Sequence, residues 1–339
     1  MLPGAQHLGG TALTKKRLRG LVQVLLSLAL LAFILSRVHW AEVWGALQHM
    51  QPGWLVLAWA LFLLGILVRA ARWHILLSAL GVRRPLAELS AWYFVGSFFN
   101  MLLPTGFGGD AVRVVELAQD TSRPGAVLNS VLVDRYLGIM VLLPMGLLAG
   151  LAAGIRSGLS PVRAGVFALT AMLFTGGLAV AWLLRRAWWS RLAERPDLAG
   201  KLVRALRLPA LSDAVMPYGR RAMLPALAVS LLFNILQIGW NVALAYGLGL
   251  RLPLTTFLVF VPLTAVALLL PAFGGLGVRE LSYVGLFGSA GVAQASALAL
   301  SLSVYAVTLS IGLMGGAIYL AMGLRQAGRR PMKVEQHGS

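Results

Sequence analysis

Long apolar runs, separated by basic clusters or by glycine and proline, divide this chain into its elements. They cover about Gly20 to Leu35, Gly53 to Leu67, Ala87 to Leu103, Ala126 to Gly154, Gly165 to Leu184, Ala222 to Leu248, 253 to 270 and 292 to 323. A helix needs about 20 mainly apolar residues to cross a bilayer, and no alternating ten-residue pattern suggests a barrel. The pattern predicts an all-α, polytopic helical membrane protein. The first run follows Lys15, Lys16, Arg17 and Arg19 and leads into Ser36-Arg37-Val38-His39-Trp40 with no small-x-small cleavage site, so it reads as a retained span rather than a signal peptide. Trp40 and Trp44 near its far end fit an interfacial belt.

Two of the runs end in related motifs. Leu103-Pro104-Thr105-Gly106-Phe107-Gly108-Gly109-Asp110-Ala111-Val112-Arg113 returns as Leu270-Pro271-Ala272-Phe273-Gly274-Gly275-Leu276-Gly277-Val278-Arg279-Glu280. Glycine pairs after a proline are expected to break the helix. At membrane depth, irregular backbone survives only inside protein or along a wet cavity. Each motif is followed by a short helical stretch, through Gln119 and through Phe287, and then by breaks at Ser122-Arg123-Pro124-Gly125 and Gly288 to Gly291. If each motif is the tip of a re-entrant hairpin, the chain is an inverted repeat of two halves, about 20–154 and 162–323, each with three spans and one re-entrant hairpin. Interrupted helices at matching positions of inverted repeats point to a transporter site near the bilayer midplane. Gly146, Gly150 and Gly154, and likewise Thr308, Gly312 and Gly316, form small-residue stripes suited to close helix packing.

Charge sets the sides. Basic residues gather in segment 1–19, at Arg69, Arg72, Arg83 and Arg84 beside Trp73, in the loop 185–221 and in the tail 325–339, whereas the opposite loops hold Arg37, Arg156, Arg163 and Arg251. By the positive-inside rule the transmembrane domain, 20–324, sits multi-pass in the cell inner (cytoplasmic) membrane with both termini cytoplasmic. The loop 185–221, with Trp188 and Trp189, lies partly on the membrane surface.

Composition agrees. Of 339 residues 59% are hydrophobic and 12% charged, against about 25% charged in ordinary soluble domains. The net charge of +18 is distributed between apolar spans, so no nucleic-acid partner is expected. The chain has no cysteine, which excludes disulfides and thiolate metal sites. His7, His39, His49, His74 and His337 lack metal-ligand spacing with one another. Gly106-Phe107-Gly108-Gly109-Asp110-Ala111 fits G-x-G-x-x-A formally, but no strand precedes it, and no P-loop or G-x-S-x-G elbow occurs. Neither a cofactor nor a metal is expected.

The chemistry therefore rests on ions in apolar surroundings. Of eleven acidic residues, Asp110, Glu116, Asp134 and Glu280 lie in or beside apolar segments, where a charge costs on the order of 2.5 to 3.5 kcal/mol on insertion scales. Asp110, Arg113 and Glu116 are spaced three apart and fall on one helix face. Asp134-Arg135 and Arg279-Glu280 are adjacent pairs, whose members point apart and need partners elsewhere. The network is either an internal brace or a brace that also meets a polar substrate. Backbone N–H groups at the glycine turns, including Gly108, Gly109, Gly274 and Gly275, together with Arg113 and Arg279, would suit a phosphate headgroup, unless Asp110 and Glu280 neutralise both arginines.

The set Asn100-Met101-Leu102-Leu103-Pro104, Gly108-Gly109-Asp110, Arg113, Asp134-Arg135 with Gly138, and Pro271 with Gly274-Gly275-Leu276-Gly277-Val278-Arg279-Glu280 resembles the lysylphosphatidylglycerol synthase transmembrane-region family, also called flippase-like domain proteins. The likeness runs from the first span to the last. In that family the domain resembles the lipid-translocating part of bacterial multiple peptide resistance factors, which move aminoacylated phosphatidylglycerol between leaflets. The resemblance implies that Asp110, Arg113, Asp134, Arg135, Arg279 and Glu280 line the path of a lipid headgroup, with Asn100 and the glycine pairs beside them. Only a short tail follows Leu324, where the two-part proteins carry a soluble aminoacyl-transferase domain, so synthesis of lysylphosphatidylglycerol is not expected. The partners implied are membrane lipids with anionic or zwitterionic phospholipid headgroups. Translocation is the first reading. A membrane enzyme using Asp110 or Asp134 as base or metal ligand, and a non-transporting partner of an envelope enzyme, are the rivals.

Overall fold

The computed structural model describes residues 40–103, 107–157, 161–184, 194–197, 218–268 and 275–329. The expected first span, the tips of both motifs with Pro104, Pro271 and Gly274, most of the loop 185–221 and the tail beyond Arg329 lie outside the described residues. Ten helices and no strand are found among the described residues: α1 (Trp40–Gln48), α2 (Pro52–Ala79), α3 (Leu86–Leu102), α4 (Gly108–Gln119), α5 (Pro124–Ser157), α6 (Pro161–Leu184), α7 (Arg220–Gly247), α8 (Leu254–Ala267), α9 (Val278–Gly288) and α10 (Gln294–Arg329). In α2, α5, α7 and α10 the apolar stretch is long enough to cross a membrane. The short helices α3, α4, α8 and α9, of 17, 12, 14 and 11 residues, reach only about 26 Å or less at 1.5 Å per residue, short of the ~30 Å hydrocarbon core.

A second repeat signal governs how α2 and α7 end. Leu80-Gly81-Val82-Arg83-Arg84-Pro85-Leu86 matches Leu248-Gly249-Leu250-Arg251-Leu252-Pro253-Leu254. Gly81 and Gly249 take φ of 78° and 77°, a left-handed conformation that favours glycine. Val82 N–H then bonds Leu77 O at 3.0 Å and Leu250 N–H bonds Ala245 O at 2.9 Å, which closes each helix in a Schellman motif. Pro85 and Pro253, at φ of −58° and −59°, then start α3 and α8.

The two helices with these matching ends pack against each other. Trp54 meets Gly247 and Tyr246, Leu61 meets Gly239, Gly65 meets Trp240, and Arg72 meets Ser230. As residue numbers rise along α2 they fall along α7, so these equivalent helices run antiparallel. Helix α3 packs on α10 and α8 on α5, while α1 packs on α10 and α6 on α5. Each half thus lays its hairpin against the long helix of the other. The close contacts use the stripes: Gly146 faces Leu258 O and Pro262, Gly150 faces Phe167, Gly312 faces Met101 and Gly316 faces Phe98.

Each pair of short helices sits in its own apolar core. Trp73, Leu89, Trp92, Tyr93 and Leu117 surround α3 and α4, and Trp240, Phe257, Phe260, Tyr283 and Phe287 surround α8 and α9. In the first pair, Arg84 Nη2 donates to Asp120 O at 2.5 Å and Arg123 Nη1 to Leu80 O at 3.1 Å. These bonds hold the start of α3 and the end of α4 at the same end of the molecule.

Candidate functional site

The first site is built on a backbone contact. Helices α3 and α4 run antiparallel and cross at Gly96 and Gly109, where a Cβ on Gly109 would lie 1.9 Å from Gly96 O. Gly109 N–H donates to Asn100 Oδ1 at 2.8 Å, which fixes the start of α4. The sequence suggests that the glycine pair breaks the helix. The break does fall at this motif, between the end of α3 at Leu102 and the start of α4 at Gly108, and Gly108 and Gly109 themselves form the first turn of α4, where their lack of side chains serves close approach.

That crossing brings Arg113 against Tyr93, with Asp110 beside it. Arg113 is 1% exposed; its Nη2 donates to Asp110 Oδ1, and its Cζ lies 3.9 Å from the Tyr93 ring centroid and 4.9 Å from that of Trp73. Arg135 Nε, from α5, donates to the other oxygen of Asp110, and its guanidinium stacks 5.0 Å from the Phe107 centroid. Asp134 is fully buried. It accepts Arg72 Nε at 2.6 Å and Tyr93 Oη at 2.5 Å. Arg72 Nη1 continues to Ser230 Oγ on α7 at 3.0 Å. Gly138 leaves room for the Arg72 guanidinium, since a Cβ there would be 3.3 Å from Nη1, and Asn234 Nδ2 bonds Gly138 O at 3.2 Å. Asp134 and Arg135, pointing apart, thus find partners on different helices. Glu116 is half-buried and stands outside these ion pairs.

The second motif closes differently. Gly275 and Gly277 adopt φ of 78° and 81°, and Gly277 N–H donates 2.6 Å to Glu280 Oε2. Glu280 is fully buried and also accepts Ser301 Oγ at 3.5 Å. Its carboxylate caps the start of α9 and makes no salt bridge among the described residues, so it does not neutralise Arg279. The Arg279 guanidinium lies beside Gly275, 3.3 Å from where a Cβ would stand, and 5.3 Å from the Tyr305 centroid. Tyr283 Oη donates to Asn241 Oδ1 at 2.5 Å, tying α9 to α7.

Of the sequence candidates, Asn100, Gly108, Gly109, Asp110, Arg113, Asp134 and Arg135 come together on one side, and Gly275, Arg279 and Glu280 on the other; Gly274 lies outside the described residues. Arg72 and Trp73 do not belong to a basic surface cluster as charge alone suggests, being 2% and 0% exposed. The missed members are Arg69, Arg72, Tyr93 and Ser230. One signal was available: after Arg72 the chain continues through Ile75-Leu76-Leu77 to Gly81, which places both arginines inside the helix rather than at its end.

No solved structure matches the chain. A UPF0104 membrane protein of Pyrococcus horikoshii is 23% identical over 316 residues, covering 85% of this chain and 93% of that protein. The family described as the lysylphosphatidylglycerol synthase TM region matches residues 20–316. With that extent, the chain belongs to the lysylphosphatidylglycerol synthase transmembrane-region family of multi-pass membrane proteins.

Proposed function

We propose that this protein translocates a lipid between the leaflets of the cytoplasmic membrane, carrying the headgroup past the charged hairpin while the acyl chains stay in the bilayer. The observation that carries this reading is the buried ion network on α2, α3, α4 and α5, reaching Ser230 on α7. Asp134 lies about ten residues, roughly 15 Å, inside its helix, and ionisable groups at such depth mark substrate paths. The antiparallel run of the equivalent helices α2 and α7 supports an inverted repeat with its axis in the membrane plane, the architecture that suits alternating access. Both carboxylates are engaged by arginines, an arrangement better suited to holding an ion than to removing a proton, so the enzyme reading is the weaker one. In this reading both termini and the loop 185–221 face the cytoplasm.

Reconstitution of the purified chain in vesicles with labelled lipids tests the proposal, scoring leaflet exchange and product formation together. Exchange without a new species is expected. A new chemical species would assign an enzyme, and neither exchange nor product would leave the accessory role. Orientation is checked by cysteines placed at Ser157 and Ser190 in this cysteine-free chain. They should label from opposite sides, and same-side labelling would refute the topology.

A further inference from the structure

Two guanidinium N–H groups buried in the first half have no acceptor. Arg69 sits one turn before Arg72 on α2. Its Nε is buried without a hydrogen-bond partner, and so is Nη1 of Arg113 on α4. Both guanidiniums close on one ring: Cζ of Arg69 lies 4.9 Å from the Tyr93 centroid and Cζ of Arg113 3.9 Å from it. The two like charges repel each other, and Asp134 attracts Arg69 without forming an ion pair with it. The acids at hand are engaged elsewhere. One oxygen of Asp134 accepts from Arg72 and the other from Tyr93, while the two oxygens of Asp110 accept from Arg113 Nη2 and Arg135 Nε. Buried polar groups in folded proteins are nearly always hydrogen-bonded. An aromatic face offsets charge but accepts an N–H only weakly.

We propose that Arg69 and Arg113 form a site for the phosphate group of a lipid, with Arg69 Nε and Arg113 Nη1 donating to two of its oxygens. This rests on the translocation reading and names the part of the headgroup that is held. An oxyanion set between two guanidiniums supplies both missing acceptors and offsets their repulsion, whereas a hydroxyl or a sugar supplies acceptors without charge. Guanidinium donors suit phosphate oxygens. Phosphate monoesters and diesters both present two such oxygens, so the site reads the phosphate and not the group beyond it. Arg69 is half-buried, and the site meets the surface on its side, where Phe233 stacks 5.3 Å from the Arg69 Cζ.

The test titrates the full-length protein, in uncharged detergent, with dihexanoyl phosphatidylglycerol, dihexanoylglycerol (no phosphate), hexanoate (a carboxylate) and inorganic phosphate. Calorimetry should rank phosphatidylglycerol at least tenfold tighter than dihexanoylglycerol and hexanoate. Inorganic phosphate separates the sources: weaker binding than the lipid assigns the site to a headgroup, and equal binding overturns the lipid assignment. Arg69→Gln should weaken phosphatidylglycerol binding tenfold or more, and Arg69→Lys, which keeps the charge, by less. Arg69→Gln should also lose the rise in unfolding temperature that bound lipid gives the wild type. A residue that only braces the fold would lower the unfolding temperature and leave that rise in place. Dihexanoylglycerol or hexanoate bound as tightly as phosphatidylglycerol, or an unchanged affinity in Arg69→Gln, overturns the inference. If Arg69→Gln does not fold, Arg69→Lys and the wild-type ranking decide. Leaflet exchange that persists where the ranking fails sinks this inference alone, and the correct ranking without exchange sinks the translocation reading alone.

Discussion

The two hairpins share a backbone plan and use their acids in opposite ways. When Gly109 is aligned with Gly275, Arg113 falls on Arg279, but Asp110 falls on Leu276 and Glu280 on Val114. In the first half, Asp110 reaches across to Arg135 on α5 while holding Arg113 on its own helix, and Asp134 ties α5 to α2 and α3. In the second half, Glu280 turns back onto Gly277 N–H, and the tie to the neighbouring helix is the neutral pair Tyr283–Asn241. The first hairpin is fastened by charge across helix boundaries, and the second is capped within itself. Matching helix ends at Gly81 and Gly249 thus precede two hairpins that are fastened differently, with the ion pairs on the first.

If that contrast holds, removing an acid should cost far more in the first half. Asp134→Ala leaves Arg72 buried opposite no carboxylate, a loss of about 3–5 kcal/mol. Glu280→Ala removes a helix cap at a cost of about 0.5–2 kcal/mol. Thermal unfolding of both variants in detergent measures the difference. The double variant Arg72→Met with Asp134→Leu should regain most of the stability, because replacing a buried pair by apolar side chains is often neutral. Equal losses for Asp134→Ala and Glu280→Ala would remove the distinction between the halves.

The glycine pairs should separate next. At Gly109 a methyl group meets the Gly96 backbone, which cannot rotate away, so Gly109→Ala should cost about 1–3 kcal/mol through overpacking and displace Asp110 and Arg113 from their partners. At Gly275 the nearest obstacle is the end of the Leu268 side chain, and the cost is the left-handed conformation, about 1–2 kcal/mol. Leaflet exchange should therefore fail in Gly109→Ala at a temperature where Gly275→Ala still works.

Much of this was legible in the sequence. The apolar runs located α3 to α10 to within a few residues, because long helices in lipid leave no competing pattern, and the paired motifs marked where the short helices α4 and α9 begin. Asp110, Asp134 and their arginines stood out as ions where lipid tolerates none. What stayed hidden has physical causes. Arg69 and Arg72 lie near enough to Arg83 and Arg84 to read as one topogenic cluster, and only the uninterrupted helix to Ala79 shows that they point inward. Tyr93 and Ser230 gave no signal, since a tyrosine or serine in an apolar helix gains a role only from what packs opposite. Each motif sets an acid within three residues of its arginine, and the sequence does not show how either acid is used. Which turns outward and which caps its own helix depends on the turn at Gly275 to Gly277, a three-dimensional fact.

The smallest effect is also the cleanest comparison, because each half places a buried tyrosine hydroxyl 2.5 Å from one side-chain acceptor. Tyr93 donates to a carboxylate already bound by Arg72, and Tyr283 to an amide oxygen. Hydrogen bonds to charged groups are worth about 1.5–3 kcal/mol and neutral ones about 0.5–1.5. Tyr93→Phe should therefore destabilise more than Tyr283→Phe, by about 1 kcal/mol in thermal unfolding, with both rings and their packing retained. The phenyl ring at 93 still faces Arg113, so the excess reports the charged hydrogen bond alone. A Tyr283→Phe variant as damaged as Tyr93→Phe would mean that the second hairpin is fastened as tightly as the first, and that electrostatics does not set the halves apart.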